Sequence, residues 1–494
     1  MKAIVQKMRA TVRQFARETR GGFVVPLALA LPVLFGFAVL AIDGGRYFNL
    51  QTSLQAAADA LALAGAAELD SKSDSIVRAN RAIDTLVSNE QRFGEGAQAV
   101  SRAQLSVRFL SSLPSTDAQS IADTNLTTDP LKAGFVEVAI RPVAFRSIFA
   151  AAASVATGPL QTQASAVAGF DSLACNVAPL FMCNPAEDSG TSLYTLARQH
   201  SFKRRLIAMR DKGNQAGSGN YGFLVPAEGN SGASNVSNAL AVDRPPGCYS
   251  KSGVEVRPGY IASTAKALNV RFDIYEGGMS KNDPSLRPSP NVRKGFGGSG
   301  CNQTATEEHT YPRDPCHATE TCTEFPVASG SVGDGRWDFE AYWTRTYGAR
   351  PRPADPETGS AWSNSDATRP SRYQVYRYEI DNNLTSTPTG STSLAKGELG
   401  TPQCYTGDRE ALKTDTVDRR IFVGAILDCK AYATEMNGSS GGKIPVTSYG
   451  KFFLTEPMDK NDARGTIWVE MLELVEPGTE AARNIIRDNV QLFR

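Results

Sequence analysis

The sequence predicts an α+β protein that begins with a single transmembrane helix. The first observation is an apolar segment without charged side chains, residues 21–42, which reads GGFVVPLALALPVLFGFAVLAI. The second is a change from helical to alternating apolar periodicity near residue 99. The third is that all eight cysteines follow this segment, which predicts a disulfide-bearing domain in an oxidising compartment.

At about 1.5 Å per residue, the apolar segment is about 33 Å long as a helix, enough for a bilayer core of about 30 Å. Residues 1–20 carry six lysines and arginines and a single acid, Glu18. Positive flanks stay on the cytoplasmic side of a membrane. We therefore expect residues 1–20 to be a cytoplasmic leader, residues 21–42 to span the membrane, and the chain beyond Asp43 to lie outside.

The alternative interpretation is a cleaved signal peptide, for which residues 39–41, Val-Leu-Ala, resemble a cleavage site. A signal peptide usually has a shorter apolar core of about 7–15 residues. We favour an uncleaved anchor, because this apolar segment and its basic leader are both longer. Pro26 and Pro32 are compatible with an anchor, since membrane helices tolerate proline.

A charged motif follows the apolar segment and predicts its exit from the membrane: Asp43, Gly45 and Arg46. Residues 49–69 then carry a narrow, alanine-rich apolar stripe at three- and four-residue steps, formed by Leu50, Leu54, Ala57, Leu61 and Ala64. Small side chains allow another helix to approach closely. Because no proline interrupts residues 33–113, we expect the anchor and this segment to form one long helix.

The next part of the chain predicts a small helix-plus-sheet unit. Its expected elements are a helix over 74–91, strands over 99–109, 135–143 and 159–170, and a short helix over 146–158. A long N-terminal helix followed by such a unit is the plan of a pilin. Residues 43–170 are therefore predicted to be a pilin-like module.

The N-terminal segment resembles the TadG-like proteins of the Flp (tight adherence, Tad) pilus system over about residues 20–70. The residues that carry the resemblance are Arg20-Gly21, Pro32, Asp43, Gly45-Arg46, Leu54 to Asp59, and Leu61 to Gly65. The resemblance implies a protein of the bacterial inner membrane with its C-terminal bulk in the periplasm. It also implies partners among pilus-assembly proteins, namely pseudopilins and the inner-membrane platform, besides the lipid bilayer.

Two departures from related families limit what the resemblance implies. Prepilins carry a glutamate five residues into the mature chain, and the equivalent residue after Gly22 is Leu27. We therefore expect neither prepilin processing nor a role as the main filament subunit. Many TadG-like proteins end in a von Willebrand A domain, whose metal motif is Asp-x-Ser-x-Ser. The nearest sequence here, residues 283–287, reads DPSLR, so a metal-dependent adhesion site is not expected.

Residues 171–494 are predicted to be a periplasmic α+β domain with long loops over 278–335 and 348–372. A helix is expected over 191–209. Strands are expected over 270–277, 373–380, 419–429, 451–457 and 466–477. Whether this half keeps a degenerate von Willebrand A topology stays open.

The cysteines are disulfide candidates: Cys175, Cys183, Cys248, Cys301, Cys316, Cys322, Cys404 and Cys429. Local loops suggest the pairs Cys175–Cys183 and Cys404–Cys429. A zinc site is the alternative for the cluster Cys301, His309, Cys316, His317 and Cys322. We favour disulfides, because this spacing matches no common zinc signature.

For the other motifs, we prefer a structural role to a functional one. Residues 295–300, GFGGSG, match a dinucleotide fingerprint but lack the flanking strand and helix it requires. His200 is expected to be solvated beside basic residues. Phe339, Trp343 and Tyr347 share one helical face and are expected to be core. We therefore predict no catalytic residue, no cofactor and no metal, and the net charge of +1 predicts no nucleic-acid partner.

Three functions remain as hypotheses. The preferred one is a non-enzymatic, membrane-anchored accessory protein of Flp pilus assembly, which acts by helix–helix packing and has no small-molecule substrate. The second is an envelope adhesin that recognises glycan or protein through the aromatic C-terminal half. The third is an exported enzyme that uses metal at the Cys/His cluster.

Overall fold

The fold is taken from a computed structural model. It describes residues 24–70, 72–88, 92–93, 98–99, 101–114, 116, 119–130, 132–145, 160–187, 189–211, 219–251, 253–259, 261–289, 310–322, 331–382, 384, 405, 418–436, 442–462, 464–475 and 479–493. The chain forms two compact units. Unit 1 comprises Met1–Phe170 and Asn489–Arg494, and unit 2 comprises Asp171–Asp488.

Unit 1 begins with a long helix, α1 (Val24–Ala66), of 43 residues. It runs without interruption through Pro32 and the predicted exit motif. The expectation that the apolar segment and the alanine-rich segment form one helix is therefore confirmed over the described residues. A second helix, α2 (Ser75–Ser88), matches the helix predicted over 74–91.

The antiparallel sheet of unit 1 contains three successive long strands, β3 (Leu105–Leu110), β4 (Phe135–Phe145) and β5 (Leu160–Cys175). The C-terminal strand β15 (Ile486–Leu492) extends it in the order β15-β5-β4-β3. Short elements complete the unit: a hairpin of β1 (Arg92–Phe93) and β2 (Gln98–Ala99), and 3-10 turns at Arg102–Gln104 and Asp123–Asn125.

Two strands predicted for this unit, over 135–143 and 159–170, are confirmed. The strand predicted over 99–109 is correct only in its second half, because a 3-10 turn interrupts the alternation at residues 102–104. The helix predicted over 146–158 lies outside the described residues.

The core of unit 1 forms where the C-terminal half of α1 packs on α2 and β4. Leu54, Ala57, Ala58 and Leu61 of α1 are buried there, in one cluster with Ile83 of α2 and with apolar side chains of the sheet. Small residues make this packing close. A Cβ atom on Gly65 would lie 2.8 Å from Cδ1 of Ile83, so only glycine fits without a shift of that side chain.

Unit 2 is built around an eight-stranded sheet. Its order is β12-β10-β8-β6-β11-β13-β14-β7, and β6 with β11 is its parallel pair among the described strands. The bounds are β6 (Leu180–Cys183), β7 (Leu206–Met209), β8 (Tyr221–Leu224), β10 (Val254–Arg257), β11 (Ile421–Leu427), β12 (Lys443–Ile444), β13 (Ser448–Leu454) and β14 (Ile467–Leu474). A further strand, β9 (Cys248–Ser250), pairs with residues 173–175 of β5.

Short helices cover this sheet. They are α3 (Leu193–Arg198), α4 (Ala233–Ala241), α5 (Thr264–Asn269), α6 (Pro315–Ala318), α7 (Phe339–Tyr347), α8 (Arg372–Asp381), α9 (Ala433–Met436) and α10 (Glu480–Ile485). Two 3-10 turns lie at Val270–Phe272 and Pro284–Leu286. Strands β6 and β8 and the edge strand β7 are buried along their whole length, which is expected when both faces of a sheet are covered.

The α+β class is confirmed, as are the strands predicted over 419–429, 451–457 and 466–477. Three other assignments in unit 2 are wrong. The helix predicted over 191–209 ends at Arg198, and positive φ angles at His200 and Arg204 reverse the chain before strand β7. The strand predicted over 270–277 is a 3-10 turn that ends at Asp273 with a φ of 63°.

The third wrong assignment is the strand predicted over 373–380, which is helix α8. Its buried side chains, Arg372, Val375, Tyr376 and Glu379, recur at three- and four-residue steps and not at every second residue. Ser371 caps the helix by accepting a hydrogen bond from the Gln374 N–H at 3.0 Å. Two of these four buried side chains are charged. A search for apolar side chains at helical spacing therefore does not detect the helix.

The predicted transmembrane helix is not confirmed. Among the residues that the structure describes, no helix combines the length and the apolarity that a membrane span requires.

Candidate interaction surface

The N-terminal half of α1 exposes large apolar side chains on all sides of the helix. Leu29 and Phe37 expose about 70% of their surface, at 71% and 69%. Other exposed apolar residues of the same helix are Leu27, Leu31, Val33, Leu34, Ile42 and Phe48. Exposed apolar surface of this extent usually marks a site of contact with protein or membrane. We call these eight residues the apolar face of α1, although they surround the helix and do not share one side of it.

The predicted exit motif lies inside α1, between its two halves. Arg46 Nη1 is 3.4 Å from Asp43 Oδ1, one helical turn away, and Asp43 is 7% exposed. Gly45 is part of the same helix, and an added Cβ there would meet no other atom within 4 Å. The motif thus brings an acid and a base together on the helix surface without interrupting the helix.

The alanine-rich stripe is used differently from our expectation. Leu54, Ala57 and Leu61 are buried inside unit 1, against α2 and the sheet. Leu50 is only partly buried but packs against the same cluster. This stripe therefore packs within its own unit, and the side chains left exposed for a partner helix lie in the first half of α1.

Three disulfides lie in the described part of unit 2, and they correct the predicted pairs. Cys175 pairs with Cys248 across strands β5 and β9, and Cys183 pairs with Cys429 beside the parallel β6–β11 pair. The predicted pairs Cys175–Cys183 and Cys404–Cys429 are therefore wrong, because Cys175, Cys183 and Cys429 have other partners. The sheet brings together cysteines 73 and 246 residues apart, which sequence proximity does not indicate.

The third disulfide, Cys316–Cys322, removes two ligands from the alternative zinc site. Cys301 and His309 lie outside the described residues, and the described residues contain no metal-ligating cluster. His317 lies against this disulfide, with its Nδ1 3.4 Å from Cys322 Sγ. Its Nε2 donates to the carbonyl of Leu206 at 3.0 Å, and burial lowers the pKa of the ring below its ordinary value of 6.5.

The other candidate site residues from the sequence have structural roles, are exposed, or lie outside the described residues. Asp283 caps a 3-10 turn by accepting from the Ser285 N–H at 2.9 Å. His200 is exposed, as expected. Residues 295–300 lie outside the described residues.

The aromatic stripe on α7 is core, as predicted. Phe339 and Trp343 are fully buried in an aromatic cluster that also holds Trp337, Trp362 and Tyr376. Tyr347 is partly buried and packs on it. The aromatic side chains that led to the adhesin hypothesis are therefore mostly inside the unit and do not form a glycan-binding surface.

A buried charge cluster was missed in the sequence. Arg372 of α8 is fully buried, and its guanidinium lies 2.7 Å from carboxylate oxygens of both Asp314 and Glu470. Asp314 also accepts from the N–H groups of Leu206 and Gly335, at 3.0 and 2.8 Å. No local motif indicates this cluster, because its acids lie 58 and 98 residues from the arginine.

Other buried arginines bridge distant backbone segments, among them Arg271 and Arg419. Arg271 donates to the carbonyls of Leu240 and Arg419, at 2.9 and 2.7 Å. Arg419 in turn donates to the carbonyl of Ala241 at 2.6 Å. Burial lowers the pKa of Arg271 to about 9 and that of Arg419 to about 10. These side chains join parts of unit 2 that are distant in the sequence.

A cleft formed by described residues of unit 2 has a volume of about 700 Å³. It lies between the end of α3 with the turn that follows it and the second half of β14. Its charged lining residues are Arg198, Lys203, Arg204, Lys451, Glu470 and Glu473, with Ala197, Phe202, Met471 and Leu474 among the apolar ones.

These observations define a two-unit α+β protein, with a long helix packed on an antiparallel sheet in one unit and a disulfide-bearing eight-stranded sheet in the other. Residues 21–68, which include all of α1, match the family model Tad, described as putative Flp pilus-assembly TadE/G-like. The match confirms the resemblance read from the sequence and associates the chain with Flp/Tad pilus assembly. No curated protein and no solved structure matches the chain at a significant level.

Proposed function

We propose that this chain is a non-enzymatic accessory protein of Flp pilus assembly, anchored in the bacterial inner membrane by residues 21–42. In this proposal the N-terminus is cytoplasmic, and the chain beyond Asp43 lies in the periplasm. The mechanism is assembly: the apolar face of α1 packs against helices of pseudopilins or of the inner-membrane platform.

The observation that carries the proposal is the division of α1 into two halves. The second half is buried in its own unit, whereas the first half presents the apolar face with no covering side chains. The family match falls on this same helix. A helix held at one end by a folded unit and apolar at the other is suited to contact lipid and neighbouring helices at once.

The periplasmic location is supported by the cysteines. Unit 2 contains disulfides, and disulfides in general form and persist in oxidising compartments such as the bacterial periplasm and are rare in the cytosol. The basic residues at positions 1–20 support a cytoplasmic N-terminus.

The apolar face provides the test. In the native bacterium, the double variant Leu34→Asp/Phe37→Asp should abolish surface pili, because each carboxylate costs about 2.5–3.5 kcal/mol at the centre of a membrane helix. The matched variant Leu34→Met/Phe37→Met keeps the face apolar and should assemble pili normally. Pili are counted by electron microscopy, and immunoblots of the membrane fraction report the amount of each variant. Normal piliation by the aspartate variant would refute the proposal.

A further inference from the structure

The cleft of unit 2 follows a strand edge that the sheet leaves open. In β14, residues Ile467–Glu470 pair with β7, and Val469 and Glu470 also pair with β13 on the other side. Residues Met471–Leu474 pair only with β13 among the described strands, because β7 begins at Leu206, opposite Glu470. A strand edge without a neighbour is a template for another strand.

The lining of the cleft shows that this edge faces into it. Met471 and Leu474 belong to the main core on one side of the sheet, and Leu472 packs against the aromatic cluster on the other side. All three line the same cleft. A cavity that touches side chains from both faces of one strand lies along the edge of that strand.

The charges around the edge are unbalanced. Glu470 is buried and paired with Arg372, and Glu473 is paired with Lys451 at 2.6 Å. Lys203 is exposed, and its charge is one of the contributions that lower the pKa of Asp355, a residue outside the cleft lining. Arg204 donates to the backbone carbonyls of Asp366 and Arg369, at 2.7 and 3.1 Å, and its buried Nε has no hydrogen-bond partner.

We propose that this cleft binds an extended acidic peptide segment of a partner protein, which adds a short strand to Met471–Leu474. The backbone of the segment pairs with the open edge, and its carboxylates face Lys203 and Arg204. Strand addition gives affinity through backbone hydrogen bonds, and side-chain pockets give specificity. The cleft volume of about 700 Å³ is in the range of about 300–1,000 Å³ that is typical of ligand clefts.

The proposal is independent of the apolar face of α1, so the two can fail separately. Fluorescence anisotropy with the purified full chain tests it, with a fluorescein-labelled octapeptide of alternating glutamate and valine as the probe. We expect saturable binding that weakens as salt is added. An octapeptide of alternating lysine and valine should bind about tenfold more weakly or less. Equal binding of both peptides, or no saturable binding of the acidic one, would overturn the proposal.

Two matched pairs of variants locate the site. Lys203→Glu should weaken binding about five- to tenfold, the size expected for reversing one exposed charge, whereas Lys266→Glu, on an exposed position of α5, should not. Ala197→Trp fills the cleft and should abolish binding, whereas Ala262→Trp, at an exposed position outside it, should not. Lys203 is exposed, so its substitution tests the site even where Ala197→Trp impairs folding.

A modified probe tests the strand addition itself. An acidic peptide that is N-methylated at alternate residues keeps its charge but loses donors for backbone pairing. It should bind at least about tenfold more weakly than its parent, the loss expected when about one net hydrogen bond is removed. Unchanged affinity of the methylated peptide, or affinity that neither cleft variant alters, would contradict the proposal.

Discussion

The guanidinium of Arg372 lies 2.7 Å from the carboxylate of Asp314, and both side chains are fully buried. Asp314 also accepts from the backbone N–H of Leu206, the first residue of strand β7. The ion pair therefore fixes the position at which β7 joins the sheet. By doing so, it sets where the pairing of β14 stops and where the cleft of unit 2 begins.

Close packing supports the same junction. A Cβ atom on Gly333 would lie 2.0 Å from Oδ2 of Asp314, so no side chain fits at this position. Gly333 N–H donates to the carbonyl of Leu206 at 2.7 Å, which covers the outer edge of β7. The edge of β7 is thus closed by backbone hydrogen bonds, in contrast to the second half of β14.

Substitution of Arg372 should destabilise unit 2 strongly. Arg372→Met leaves two carboxylates buried without their partner, which we expect to lower the free energy of unfolding by about 3–5 kcal/mol. Urea denaturation followed by tryptophan fluorescence measures the change. The control is Arg377→Met on the same helix, whose partly exposed side chain pairs with Asp381 at 2.9 Å and with Asp418 at 3.9 Å and should contribute at most about 1 kcal/mol. If both variants lowered the free energy of unfolding equally, the buried ion pair would contribute no more to stability than the partly exposed ones.

Acidification should destabilise the protein through His317. Burial holds the pKa of this ring below 6.5, so between that value and its own lower pKa the unfolded chain binds a proton that the folded chain does not. The free energy of unfolding should therefore fall as the pH is lowered from 7.5 to 5.5. His317→Gln should reduce this pH dependence, and His200→Gln, at an exposed position, should leave it unchanged. A pH dependence that survives His317→Gln in full would contradict this assignment.

The long-range disulfide should stabilise the protein more than the short-range one. Cys183–Cys429 closes a loop of 246 residues and Cys316–Cys322 one of 6 residues. The chain-entropy argument then predicts that replacing the first pair with alanine costs about 2–5 kcal/mol and that replacing the second costs less. Urea denaturation of the two double variants compares them. A larger loss for the Cys316–Cys322 variant would contradict the argument.

Local patterns predicted much of unit 1 and the late strands of unit 2, and the failures share a physical cause. The alternation of tyrosine and valine in residues 373–380 indicates a strand, whereas the helix is stabilised by burial of Arg372 and Glu379. Their partners, Asp314, Tyr311 and Tyr342, lie far along the chain. A pattern that counts apolar residues cannot detect charged side chains whose burial depends on such distant contacts.

The predicted disulfide pairs are wrong for the same reason. They join cysteines that are close in the sequence, because local patterns do not indicate which strands become neighbours. Cys183 and Cys429 meet because β6 and β11 pair in parallel, across 246 residues. The apolar stripe of α1 was recognised correctly as a packing surface, but which partner it would pack against depends on the sheet of its own unit.

Site-specific photocrosslinking tests the central claim most directly. A photoreactive phenylalanine analogue is placed at Leu34 on the apolar face of α1 and, as a control, at the exposed Thr358 of unit 2, in cells that assemble Flp pili. We predict a membrane-fraction adduct between Leu34 and a helix of a pilus-assembly component, identified by mass spectrometry, and none from Thr358. A chain that is recovered in the soluble fraction and forms no adduct with any pilus component from Leu34 would contradict the account.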